Sequence, residues 1–363
     1  MAKRVGVDKW MFGVVLLLVL FGLVMVFSTS AVMAKSSFGT PYYFMIRQGL
    51  WASAGLAALV MLMRVDYRHY NNQKFVYAAV GLTFLLLVGV FAMRDSHNTH
   101  RWFRFGFASF QPSELAKPTI VLFLAYFLQT RIHRMDDWKG TVMKAALPPL
   151  VMVALIVKEP DLGTAIVCVA VTALMLYLAG MEVKYLVMGA VAAAPVLYYL
   201  LFWVPWRRAR MLAFINPEAD PRGTGFHILQ SLIAVGTGGL HGLGLMEGRQ
   251  KLFYLPEPHT DFIFASVCEE LGVLGAICVI GLFVALAYRG FRAAYLSTEP
   301  FARFLAFGIT STVIIQAFFN MSVVVALLPT KGITLPFISF GGTSLFVMLA
   351  SMGVLLNVTR EID

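Results

Sequence analysis

The sequence predicts an all-α polytopic membrane protein, and three observations predict it. Of 363 residues 59% are hydrophobic and only 13% are charged, with a mean hydropathy of +0.78; soluble domains carry about 45–50% apolar residues. The apolar residues gather into about ten stretches close to the ~20 residues that a bilayer requires. Lys and Arg fall between those stretches and are unevenly divided between alternate connections. No long soluble segment remains, so residues 1–363 read as one integral membrane domain.

The spans read as 11–33, 46–63, 75–93, 112–129, 144–157, 162–180, 185–205, 261–288, 303–326 and 341–358. The first follows Lys3, Arg4 and Lys9 as a signal peptide would, but it is too long and lacks a small-residue cleavage site, so it reads as a retained helix. The fifth and sixth are separated only by Lys158, Glu159, Pro160 and Asp161, a tight hairpin. A cytoplasmic N-terminus puts cations such as Lys9, Arg64, Arg68, Arg131, Arg134 and Arg289 inside; Lys35, Arg47, Arg94, Arg101, Arg104, Lys158 and Lys331 fall on the other side. That bias of about two to one predicts N-in, C-in, and an even span count agrees. Cys168, Cys268 and Cys278 sit in apolar runs without metal-ligand spacing and read as core residues. The net charge of +10 suits anionic membrane lipids or an anionic substrate, and no nucleic-acid partner is read from it.

Residues 206–260 are the one large loop, placed by this topology outside the cytoplasmic membrane between the seventh and eighth spans. Its stretch FHILQSLIAVGTGGLHGLGL is too Gly-rich to span and too apolar for a solvated tail. Short helices at the membrane surface are expected, with Gly236, Gly238, Gly239, Gly242 and Gly244 allowing tight turns or close approach.

Three acids follow this loop. Asp261 stands at the mouth of the eighth span, where partial desolvation raises a carboxylate toward the range of a general base. The bland reading makes Thr260 the N-cap and Asp261 a first-turn complement to the helix dipole. Glu269 lies ~12 Å deeper along an ideal helix and Glu270 points almost opposite to Asp261, so both read as structural, pairing with polar groups on neighbouring helices. Before the fourth span, Pro112 starts a helix that sets Glu114 and Lys117 on one face, a mutually neutralising pair or an anion aid. Near the last span, LLPTKGITLPFISFGGTSL places Lys331 in a re-entrant-like loop, with Gly341 to Ser344 packing against the final helix. One helix-end carboxylate among outer cations suits a substrate with an anionic group to clamp and a hydroxyl to deprotonate. A lipid-linked diphosphate sugar fits that description.

QPSELAK, EPDLGTA, LPEPHTDFIF followed by EELG, and LPTKGITLPFISFGGTSL resemble, in order and over most of the chain, the SEDS family of bacterial cell-wall polymerases, the group of FtsW, RodA and SpoVE. RQKLFYLPEPHTDFIF and the Thr-Lys-Gly of LPTKGITLPFIS are more similar to the division branch, that of FtsW, than to the elongation branch of RodA. Departures are His227 where the family usually has Gln, SFGGTS for SYGGSS, and EPDLGT for QPDLGT. The resemblance implies a peptidoglycan glycosyltransferase that polymerises lipid II at the outer face of the bacterial cytoplasmic membrane, at the division septum for the FtsW branch. Asp261 matches the family's essential aspartate and would deprotonate the acceptor 4-hydroxyl, inverting the donor as undecaprenyl diphosphate leaves. Candidate substrate-binding residues are Arg101, Lys117, Arg249, Lys251, His259 and Lys331. A divalent cation, Mg or Mn, could share the charge near Asp261, but no ligand cluster is legible. The implied partners are a class B penicillin-binding protein, whose SxxK motif this chain lacks, and other division proteins.

Two readings from other classes stand beside this one. A lipid II flippase would use acids and cations at mid-membrane depth and two related halves, and no internal repeat is visible. A non-catalytic division scaffold would work without Asp261.

Overall fold

The computed structural model describes residues 6–93, 100–105, 108–135, 137–252, 254–255 and 257–360. Lys3, Arg4 and Arg94, which enter the charge count, lie outside them. Among the described residues the helices are α1 (Lys9–Phe38), α2 (Tyr43–Arg64), α3 (Gln73–Gly89), α4 (Pro112–Leu128), α5 (Met143–Lys158), α6 (Leu162–Leu178), α7 (Val183–Phe202), α8 (Pro205–Ile215), α9 (Phe226–Thr237), α10 (Ile263–Leu296), α11 (Pro300–Val324) and α12 (Gly342–Thr359). A small antiparallel ribbon, β1 (Phe103–Phe105) with β2 (Ala108–Phe110), precedes α4. The chain is an all-α polytopic membrane protein. Among the described residues eight helices are long and apolar enough to cross a membrane, and α4 and α6 are shorter at 17 residues each. These ten match the ten expected spans; α8 and α9 are the short helices expected in the long loop.

Local chemistry sets the ends. Asp8 Oδ1 accepts from Met11 N at 3.0 Å to start α1, and Asp161 Oδ1 accepts from Thr164 N at 3.1 Å to start α6. Pro112 opens α4, where its missing N–H is no loss. The expected start of the eighth span is corrected. α10 begins at Ile263, with no side-chain cap, and the Thr260 hydroxyl turns to the Glu257 carbonyl instead. Asp261 therefore does not cap the helix; the residues before Ile263 are held in a turn by bonds described below.

Packing is tightest where glycines remove Cβ. Gly55 on α2 faces the Leu349 side chain of α12, and Gly353 on α12 faces the Leu59 backbone of α2. Helices α4, α11 and α12 are the most buried spans, whereas α7 buries no residue. One end of the bundle is tied by Arg289 to Asp8 (2.6 Å), Asn357 to the backbone of Tyr67 (2.9 Å), and Arg68 to Glu299 (2.8 Å). The opposite end gathers the α5–α6 hairpin, the long α7–α10 connection and the α11–α12 loop.

The last part of that connection is built into α10. At Gly272 the backbone leaves helical geometry (φ 65°, ψ −162°), and the freed groups bond residues 239–244. Leu243 and Gly244 N donate to the carbonyls of Glu269 and Glu270, both at 3.0 Å, and Val273 N donates to Gly239 O at 2.9 Å. Gly238 and Gly242 allow this, because a Cβ on either would collide with the carbonyl of Cys268 or Glu270. The adjacent acids turn to the same segment. Glu269 Oε1 accepts from the backbone of Arg249 (2.7 Å) and Gln250 (3.0 Å); Glu270 accepts from Met246 N (2.9 Å), Lys251 Nζ (2.7 Å) and Ser28 Oγ of α1 (2.7 Å). The structural role expected of this pair is therefore directed mainly at the chain's own loop, with Ser28 the neighbouring-helix partner.

Gly242→Ala combines a φ of 79° with the Glu270 collision and should cost at least about 1–3 kcal/mol. The thermal midpoint of the detergent-solubilised protein should fall, whereas Gly189→Ala on α7, where a Cβ meets nothing, should leave it unchanged or slightly higher.

Candidate active site

The turn before α10 is fastened to the α11–α12 loop by backbone groups that side chains satisfy. Phe340 N donates to His259 O at 2.8 Å, and Ser339 Oγ donates to Thr260 O at 2.6 Å. Asn320 Nδ2, on α11, donates both to Asp261 O (2.8 Å) and to Ile333 O (2.7 Å). One helical turn earlier, Gln316 Nε2 donates to Thr334 O at 3.0 Å. The backbone of Asp261 is thereby fixed against residues 333–340. Its Oδ2 faces Gly332, where a Cβ would stand 3.0 Å away, so the glycine leaves room beside the carboxylate.

Asp261 lies outside the spanning helices and keeps a partly open edge while protein crowds its other sides. Burial, then the negative charges of Glu257 and Asp161, push its carboxyl up to about 7; Arg210 and Arg101 oppose the shift. Four of the cations described at this end act on Asp261 or on one another. Arg101 is fixed by donating to the carbonyls of Glu159 (2.9 Å) and Pro160 (2.5 Å). Arg207 and Arg210, one turn apart on α8, both lie about Trp206, 5.0 and 5.1 Å from its ring centre. Burial and the charge of Arg207 push the Lys331 amine down to about 8, and burial followed by the field of Arg101 lowers Arg207. Such mutual repulsion is relieved by an anion.

Of the residues singled out in the sequence, Asp261, Arg101 and Lys331 come together here. Lys117 does not: it is buried, 2.7 Å from Glu114 and 2.6 Å from Gln316 Oε1, so it supports the α11–α12 loop from beneath. Lys251 is likewise buried against Glu270. The Arg249 side chain is exposed, while its backbone holds Glu269. His259 is buried with its ring 4.5 Å from Phe44 and 5.7 Å from Phe340, centre to centre. Sequence reasoning missed Arg207, Arg210, Asn320 and Asp161 as parts of the site. The first two were visible as an i, i+3 pair in WRRARM, and Asn320 as a polar residue deep in an apolar run. Among the described residues no group of three or more His, Cys, Asp and Glu side chains gathers to hold a metal ion.

A carboxylate that titrates near neutrality, beside a cationic patch at the open end of a membrane bundle, is equipped to take a proton from a bound hydroxyl while the patch holds an anionic group. The fold defines a multi-pass membrane protein that carries this candidate site at one end. The chain belongs to the cell cycle protein family of FtsW, RodA and SpoVE, whose model matches residues 8–363. It is 44% identical, over 94% of its length and 91% of the relative's, to the probable peptidoglycan glycosyltransferase FtsW of Geobacter metallireducens. It is 39% identical, over 99% and 98%, to the stage V sporulation protein E of Bacillus subtilis. Among solved structures it is similar to a chain of a peptidoglycan synthase complex described for its coordination of polymerization and crosslinking (TM-score 0.80, 29% identity, 98% of this chain and 99% of that one). Thermus thermophilus RodA is also similar (0.71, 27%, 98% and 97%).

Lys117→Met leaves Glu114 buried and unpaired and should destabilise the protein by about 3–5 kcal/mol. Arg210→Ala, on an exposed side chain, should stay within about 0.5 kcal/mol of the parent in the same thermal unfolding assay.

Proposed function

We propose that the chain is an inverting peptidoglycan glycosyltransferase that polymerises lipid II into β-1,4 glycan strands. The observation that carries this reading is Asp261, held at the bundle mouth with its carboxyl raised to about 7 beside Arg101, Arg207, Arg210 and Lys331. Asp261 takes the proton from the 4-hydroxyl of the acceptor N-acetylglucosamine. The oxygen attacks the anomeric carbon of the donor N-acetylmuramic acid, and undecaprenyl diphosphate departs. The cations stabilise the charge that develops on the diphosphate. The diphosphate itself supplies the driving force. Asn320, by holding the Asp261 carbonyl, keeps the carboxylate aimed.

The site faces outside the bacterial cytoplasmic membrane in this reading, in line with the Lys and Arg bias. The partner is a class B penicillin-binding protein, which crosslinks what this chain polymerises. Similarity to a chain of a synthase complex that coordinates polymerization and crosslinking supports this. Duty at the division septum rests on the relatives named FtsW.

Polymerisation of purified lipid II, with a partner free of transferase activity, tests the proposal. Asp261→Asn, nearly isosteric, should reduce the rate by at least about 10²-fold while circular dichroism remains that of the parent. Polymer from both proteins in equal amount would remove Asp261 from the chemistry. Movement of lipid II across vesicles without polymer would favour the flippase instead.

The pH dependence has a fixed sign. A raised carboxyl is the active base only when deprotonated, so the rate should climb with pH and level off above about 7. A rate that stays flat from pH 5 to pH 7 would contradict a base with this environment.

A further inference from the structure

Glu159 closes α5 at the α5–α6 hairpin, and the chemistry above makes no use of it. Its side chain is fully buried, and among the described residues neither carboxylate oxygen has a hydrogen-bond partner. An ionised carboxylate in that position would be a charge out of water with no hydrogen bond to hold it and only the field of Arg101 to offset it. The charged groups around it do not fill the gap. Arg101 spends its Nε and one terminal nitrogen on the carbonyls of Glu159 and Pro160, so the guanidinium braces the hairpin backbone and not the carboxylate. Asp161, at the start of α6, adds negative charge; its own oxygens are taken by Thr164 N, Gln111 and Ser113 of the segment that opens α4. Lys158, one residue back on α5, lies over the Phe91 ring at 5.3 Å.

We propose that Glu159 is a positioning residue that works as a neutral carboxylic acid: its proton keeps the Arg101-braced hairpin closed beside Asp261, and loss of that proton loosens it. Burial first, then Asp161, push the carboxyl up to about 8, which places the neutral form at physiological pH. Ionisation would add a negative charge beside Asp161, one of the groups that already raise Asp261. It would also draw Arg101 off the two carbonyls toward the new charge. Both changes disturb the base and one of the two cations whose charge acts on it. The rate, rising through about pH 7 by the reading of Asp261 as base, should therefore fall again above about pH 8.

Glu159→Gln imitates the neutral acid and cannot ionise. The sign of its effect on stability follows from linkage. A carboxyl raised in the folded state binds its proton more tightly there than in the unfolded chain, so stability is present below the unfolded pKa and is lost as pH rises toward the folded value. The thermal midpoint of the wild type should fall relative to that of Glu159→Gln between about pH 5 and pH 8 and then run parallel. Infrared difference spectra across pH 8 should carry a protonated-carboxyl carbonyl band that Glu159→Gln lacks. In lipid II polymerisation, which rests on the proposed function, the alkaline fall should vanish in Glu159→Gln while the acid limb stays.

Parallel midpoints at every pH, or an infrared band unchanged by the substitution, would overturn the proposal. So would an alkaline fall that persists in Glu159→Gln. Absence of polymer from the wild type at every pH would defeat the proposed function, and the midpoint and infrared measurements would still decide the state of Glu159.

Discussion

A chain that abandons helical geometry at the end of a membrane bundle must find a partner for each carbonyl and amide it frees, and the site hangs on how this is met. Asn320 answers for two carbonyls at once, that of Asp261 and that of Ile333. Ser339 links Thr260 O to Leu335 N, and Gln316 takes Thr334 O. Asn320 and Gln316 sit on α11, one of the most buried spans, so the irregular loop inherits the rigidity of the bundle's centre. Asp261 is placed by amides and hydroxyls that are themselves uncharged. Its carboxylate stays available.

The cations divide by whether they have found a carboxylate. Lys117 and Lys251 have done so in buried pairs, with Glu114 and Glu270, and the third member of each cluster comes from a different helix: Gln316 for one, Ser28 for the other. Such pairs fix which helices meet which loop more than they add stability. Among the described residues no carboxylate forms an ion pair with Arg207, Arg210 or Lys331. Arg210, Lys331 and Arg101 keep exposed surface toward the open end, with Arg207 buried behind them, so charge there can still be matched by something that arrives.

Hydropathy made the spans legible because a bilayer imposes one length on every crossing, and all ten appear as helices. Asp261 stood out as a candidate for a related reason: an acid at a span mouth is exceptional in any register. The roles of Lys117 and Lys251 were not, since a cation in an apolar run reads the same whether it holds a ligand or a buried acid. Gln316, 199 residues from Lys117, and Ser28, 223 residues from Lys251, decide the matter, and only the packing brings them near. The misplaced start of α10 has a local cause. Thr260 and Asp261 make a good capping sequence, but the bonds to Ser339 and Asn320 hold them out of the helix. Glu269 and Glu270 were judged on an ideal helix, and the break at Gly272 lets both serve one loop.

The interlock between residues 238–251 and the broken part of α10 bears on how this chain can change length. Hydrogen bonds pair Gly239 with Val273, Leu243 with Glu269 and Gly244 with Glu270, so the two segments share a fixed spacing. An inserted or deleted residue on either side would shift every pairing and drive a side chain into the place of Gly238 or Gly242. Among the described residues the connection between α8 and α9 makes no such bond to another element. Around Asp220 it is exposed and closed by its own local turn, with Gly223 and Thr224 donating to the aspartate. Length variation, natural or engineered, belongs at residues 217–224, and a tag or spacer placed there would leave the register of the neighbouring loop intact.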